Sequence, residues 1–314
     1  MSKNFVNKTY IEGYVYEHSL ESKVSGDTSK NPGTEYITGI LNVATDNACI
    51  NIVPVHFTYV TATTAKGQPN TTYNILKNII DGVVKTVMAE GKEKAGKVRI
   101  DSALGLNEFY TDRNGTEELV SAKRNEGGFI HLVDVLNEDE QARNTFNCDM
   151  LITGARRIEA NEEKELPEKV ILKGAIFDYR KALLPVEFSV TDEVAMDYFE
   201  GLEASSKNPV FTRVQGNQIS ETIVKKIKEE SAFGNAKIRE VTSSRKDFVV
   251  NWASPNPYEL DDPSTLTIAE LNEAIAAREV YLATIKKRQE DYKASKQSAF
   301  VAPAATVSKG GFDF

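Results

Sequence analysis

No stretch of about 18 consecutive apolar residues occurs in this chain of 314, so a membrane-spanning helix is not expected. The N-terminus, Met-Ser-Lys-Asn-Phe, lacks the apolar core of a signal peptide, and a cytoplasmic location is the expectation. Cysteine is scarce. Cys49 and Cys148 stand alone with no CxxC spacing, and both read as buried reduced thiols. Histidine is scarce too: His18, His56 and His131 fall in separate segments, with no metal spacing and no partnered nucleophile. No carboxylate pair stands out, so neither enzyme chemistry nor a metal or cofactor is expected. One stretch, Gly91 to Lys97, matches GxxxxGK, but Val98 follows where a phosphate loop needs Ser or Thr. Its context is also helix–loop–strand, the reverse of what that motif requires.

Positive charge is in deficit, the net charge being −8. The excess acid is local: residues 138–140 and 159–168 hold 8 acids and one base, and both segments read as loops. Strand faces can therefore still present basic stripes, and binding to a polyanion is permitted.

What the chain does have is a repeated order of landmarks. Ile11-Glu12-Gly13, Ile37-Thr38-Gly39 and Ile52-Val53-Pro54-Val55-His56-Phe57 are followed by a helical pattern from Tyr73. The second half shows Ile152-Thr153-Gly154, Leu172-Lys173-Gly174 and Leu183-Leu184-Pro185-Val186-Glu187-Phe188, then a helical pattern from Glu193. Offsets of 141, 135 and 131 link the pairs, as loop shortening in a duplicated unit would produce. Period-2 alternation predicts strands over 5–17, 35–46 and 49–60, and helical spacing predicts a helix over 73–89. Strands near 97–110 and 128–136 follow, joined by a long polar hairpin. The second copy reads as strands near 146–158, 168–179 and 183–191, a helix near 192–204, then strands near 209–219 and 237–252. A short helix is expected over 221–231.

Three strands, a helix and two strands is the order of the OB-fold, a five-stranded partly open barrel. The expectation is therefore a mainly β chain with some α: tandem OB-fold-like barrels at 1–141 and 142–260, a helix over 261–296 and a flexible tail over 297–314. Thr267-Ile268-Ala269-Glu270 forms a capping box at the helix start. That helix is expected to pack on the second domain, with self-association through 266–296 as the alternative.

Candidate contacts lie on outward strand faces. In the first half Tyr10, Tyr14, Tyr16 and Tyr36 are open to two uses, stacking on bases or covering another part of the chain. Arg113, Lys123 and Arg124 around Tyr110 form a candidate clamp for a sugar-phosphate backbone. In the second half Phe177 and Tyr179 share an outward phase, and Arg156, Arg157, Lys173, Arg180 and Lys181 make a candidate positive track. The chain ends in Gly-Gly-Phe312-Asp313-Phe314, two rings and two negative charges at a tip that a basic apolar pocket on a partner protein could capture.

With these residues in view, the sequence resembles single-stranded DNA-binding proteins of the bacterial and phage type. Asn51-Ile52-Val53-Pro54-Val55-His56-Phe57 and Ile75-Leu76-Lys77-Asn78-Ile79-Ile80-Asp81-Gly82 look like that family's third strand and following helix. The resemblance implies coating of single-stranded DNA without strong sequence preference in replication, recombination or repair. It also implies recruitment of replication and repair partners by the tip, and a host cytoplasm if a phage encodes the chain. The tip departs from the family pattern, which has several acids and a penultimate proline. A structural or assembly protein built on tandem β-barrels is the alternative.

Overall fold

The computed structural model describes residues 5–113, 116–161, 167–229 and 237–299, with the backbone alone at 113, 222–229, 237–244 and 294–299. Phe312, Asp313 and Phe314, and Asn114 and Gly115, lie outside the described residues.

The chain is mainly β, with short helices between strands and one long helix near its end. β1 (Asn7–His18), β3 (Glu35–Ala44) and β4 (Ile52–Thr61) alternate apolar and polar residues, and Ile11, Val15, Ile37, Leu41, Val53 and Val55 are buried on one face. β2 (Glu21–Val24) adds a short strand between the expected strands over 5–17 and 35–46. After α1 (Thr71–Ile80) and the single turn α2 (Val87–Glu90) come β5 (Lys97–Arg113) and β6 (Thr116–Leu132). Pairing closes on itself: β1 with β3, β3 with β4, β4 in parallel with β6, β6 with β5, and β5 with β1. The second half repeats the same circuit with β7 (Asn144–Ile158), β8 (Lys169–Phe177), β9 (Leu183–Val190), β10 (Val210–Glu229) and β11 (Lys237–Ala253), and α3 (Glu193–Gly201) follows β9. Each circuit encloses its own apolar cluster, one around Leu41 and Leu76, the other around Phe146 and Phe188.

The topology repeats, but the landmark residues do not keep their places. Register slips between Val15 and Glu17 in β1 and between Ile152 and Gly154 in β7. Aligning the slips sets Val15 beside Ile152, an offset of 137, four less than the glycines suggest. Short strand triplets ending in glycine recur easily, whereas the bulge is fixed by the whole ladder. Pro54 and Pro185 nonetheless occupy comparable surroundings. Each lies in a strand laddered along one side that meets its other neighbour at only one or two residues, as a residue without an N–H requires.

Gly13 is required by close approach: a Cβ there would lie 2.0 Å from the Ala44 carbonyl oxygen. Gly154 has nothing within 4 Å. Gly13→Ala is expected to cost about 1–3 kcal/mol in urea denaturation. Gly154→Ala should be neutral or stabilising by up to about 0.5–1 kcal/mol, since a strand glycine carries an entropic penalty.

Three expected elements differ. The helix of 73–89 stops at Ile80 because Asp81 caps it and Gly82 turns into positive φ (+70°), which leaves Val83 exposed. The helix expected over 221–231 is absent from its described part. β10 runs on to Glu229, as the β-branched Thr222, Ile223, Val224 and Ile227 favour. The polar hairpin over 110–128 is a continuation of β5 and β6, paired from Tyr110↔Leu119 to Arg113↔Thr116. Cys148 is buried as expected, and burial pushes its thiol pKa up; Cys49 is only half-buried, with φ 55°.

The halves join edge to edge. Asn7↔Cys148 through Ile11↔Asn144 pair β1 with β7 in antiparallel fashion, leaving β1 with three strand neighbours. Side-chain amides stitch the seam. Asn7 bonds the Leu104 and Phe177 carbonyls (2.9 and 3.1 Å), and Asn125 bonds the Gln218 side chain (2.8 Å).

α4 (Ile268–Ala299) begins at the capping box, where Thr267 Oγ1 accepts from the Glu270 amide (3.2 Å) and Glu270 accepts from the Thr267 amide (3.1 Å). Leu266, Leu271 and Ala274 pack on Leu151, Phe177 and Phe211 of the second half. Farther along, the helix crosses to the first half. Arg278 forks onto Glu108, whose side chain is 1% exposed, and Lys286 pairs with Glu117 at 2.9 Å. No helix among the described residues is long and apolar enough to cross a membrane.

Candidate nucleic-acid interface

Between the halves lies an open groove of about 1950 Å³. Its floor comes from β1, β5 and β6, where Gly105, Gly127 and Gly128 keep the backbone bare. A Cβ on Gly127 or Gly128 would strike Phe57 or the Asp101 carbonyl, so closed packing demands glycine at both. One wall carries Tyr10, Tyr59 and Phe129; the other carries Tyr179 and, from α4, Tyr281. Phe129 and Tyr179, both lining the groove, are 73% and 83% exposed.

Local contacts hold Tyr179, Tyr59 and Tyr10. Asp178 closes the β8–β9 turn by accepting from the Arg180 and Ala182 amides (2.8 and 2.7 Å), which pins Tyr179 at the tip with the Arg180 guanidinium 5.0 Å from its centroid. Tyr36 and Tyr59 stack at 4.5 Å, and the Tyr59 hydroxyl meets Ser25 at 3.0 Å. The Tyr10 hydroxyl donates to Glu12, and desolvation together with that bond pushes its pKa up to about 12. Lys8, Arg124, Arg180 and Arg288 line the groove, as does Arg278. Arg124 also holds Glu126 at 2.7 Å, a partly exposed pair that a phosphate can outbid. Burial lowers the pKa of His56, also in the groove, so it is neutral at neutral pH. Among the described residues no group of three or more His, Cys, Asp or Glu side chains could hold a metal.

Of the residues singled out from sequence, Tyr10, Arg124, Tyr179 and Arg180 come together in this groove. The rest do not. Phe177, expected outward, is buried against Phe5 (4.5 Å) and Phe211, because the N-terminal segment and the start of α4 cover its face. Arg157 is spent on Glu168, Asp197 and Glu200, and its hydrogen bonds, Glu200 first, hold its pKa above the usual range. Lys123 leans over the Phe188 and Phe248 rings, and burial lowers its pKa. Lys181 pairs with Glu270 at 3.2 Å. Lys286 covers the Tyr110 ring and Lys92 the Tyr14 ring. Tyr16 is half-buried, while Arg156 and Lys173 are exposed; all three lie outside the groove. Tyr36 reaches it only through Tyr59, and the Arg113 side chain lies outside the described residues.

Sequence reasoning missed Phe129, Tyr59, Tyr281, Lys8 and Arg288. Phe129 alternates with the buried Ile130, a signal present in the sequence; the helix residues gave none, since α4 reaches the groove through long-range ion pairs.

The chain belongs to the YorF family, whose profile matches residues 6–291. No curated protein matches the sequence. Among solved structures the chain is similar to a deletion mutant of the single-stranded DNA binding protein from Thermus aquaticus (TM-score 0.46, 10% identity, 83% of this chain and 98% of that one). The wild-type form of that protein matches similarly (TM-score 0.43, 10% identity, 82% and 97%).

Proposed function

We propose that this protein binds single-stranded DNA along the groove, without catalysis and with little sequence preference. The observation that carries the reading is the pairing of exposed rings, Phe129 and Tyr179, with cations across a glycine-bearing floor. Rings accept any base by stacking, and cations track phosphates. The closed pairing circuits support a division into two OB-fold-like barrels, 1–141 and 142–260, with α4 docked across both. Service in replication, recombination or repair, a phage setting and recruitment of partners through Phe312, Asp313 and Phe314 belong to the same reading and rest on sequence resemblance.

Fluorescence anisotropy with an oligo-dT strand tests it. With three to four groove cations meeting phosphates, the slope of log K against log salt should be about −2 to −3, a loss of about 20- to 50-fold between 50 and 200 mM. An absence of binding at low salt sinks the proposal.

One observation favours a second reading, an assembly protein. α4 leaves Ile268, Ile275, Val280 and Tyr292 exposed. Light scattering without DNA separates the two, because a discrete DNA-independent oligomer supports assembly.

A further inference from the structure

The repeat can be followed across the sheet by register. In the first half the ladder sets Tyr10 opposite Asp101 and Asp101 opposite Phe129, and all three line the groove. Carried over by the matching bulges, this row falls on Asn147, Gln215 and Trp252, which the second half pairs in the same way: Asn147↔Gln215 and Gln215↔Trp252. Phe129 thus has a counterpart, and it is the chain's single tryptophan, 45% exposed. Gln215, paired with Trp252 across the ladder, helps to line a pocket of about 320 Å³ together with Asn147, Asn217 and Asn251. Asn251 bonds Asn217 (2.7 Å), while the buried Asn147 Oδ1 has no hydrogen-bond partner among the described residues.

The two sites are also continuous. Thr145 and Asn147 line both the groove and the pocket, and Thr145 sits opposite Tyr10 across the β1–β7 seam. The ladder therefore runs without interruption from Phe129 through β5, β1, β7 and β10 to β11.

Building on the single-stranded DNA reading, we infer that Trp252 and the amides of Asn147 and Gln215 form a second subsite, and that one strand crosses the seam to occupy both. Bases stack on Trp252, and the amides hydrogen-bond base edges. The subsite has only Asp139 as a charged lining residue, so it adds affinity that salt barely affects.

Because tryptophan occurs once, its emission reports this subsite alone. Titrating the full chain with oligo-dT should quench Trp252 in step with the anisotropy rise. Trp252→Ala should weaken binding by about 5- to 150-fold with an unchanged salt slope, and Trp252→Phe should restore most of the loss. Circular dichroism of both variants confirms that they fold. Binding with no change in Trp252 emission overturns the second subsite and leaves the groove intact. No anisotropy rise at all overturns both.

Discussion

Replacing Phe129 and Tyr179 together by alanine is expected to weaken binding of oligo-dT by about 2–6 kcal/mol, from about 1–3 kcal/mol for each stacked base. The two rings stand on different halves, on β6 and on the β8–β9 turn, so their effects should add. Both are mostly exposed, and neither belongs to an apolar core cluster, so the urea midpoint should move little. That separation is what makes the experiment decisive. A double variant that still binds like the parent removes the groove from consideration, whatever else the protein binds. Phe129→Tyr and Tyr179→Phe should retain affinity, because each keeps a ring face.

Arg278→Ala is expected to destabilise the fold by about 3–5 kcal/mol, measured by urea denaturation. The guanidinium forks onto Glu108, whose side chain is 1% exposed, while its own is 11% exposed. Truncation leaves a carboxylate buried with no counter-charge, and that penalty exceeds whatever the intact pair contributes. A paired replacement, Glu108→Leu with Arg278→Met, should recover most of the loss, because two apolar side chains fill the space without a charge to compensate. If the single and the paired variants unfold alike, packing rather than the orphaned charge accounts for the cost. The pair also matters for the groove: it holds α4 where Tyr281 and Arg288 form part of the wall.

These two results probe parts of the molecule that were unequally readable. Alternation on β1 and β3 revealed the inner face through Ile11, Val15, Ile37 and Leu41, since a strand buried on one side must repeat every second residue. The start of α4 was legible because a capping box is a local device, complete within Thr267 to Glu270. The candidate site was less so. Strand phase placed Phe177 outward, but phase says nothing of what else covers a face, and Phe5 lies 172 positions away in sequence. Charge gave Lys123 as part of a backbone clamp and Arg157 and Lys181 as part of a positive track, yet each meets a partner that only the folded chain supplies. The duplication was visible as an order of elements and misaligned as residues. Three-residue strand patterns are cheap to repeat, whereas bulges record where the ladders close.

The antiparallel seam has a directional consequence. β1 and β7 run opposite ways side by side, so the second copy is turned half a revolution within the plane of the sheet relative to the first. A polymer with distinct 5′ and 3′ ends, laid continuously over both, meets one copy head-first and the other tail-first. Identical side chains in the two copies would then face chemically different surroundings, and nothing would hold them the same. The tyrosine, aspartate and phenylalanine of one row and the asparagine, glutamine and tryptophan of the other differ at every position, as that inversion would allow.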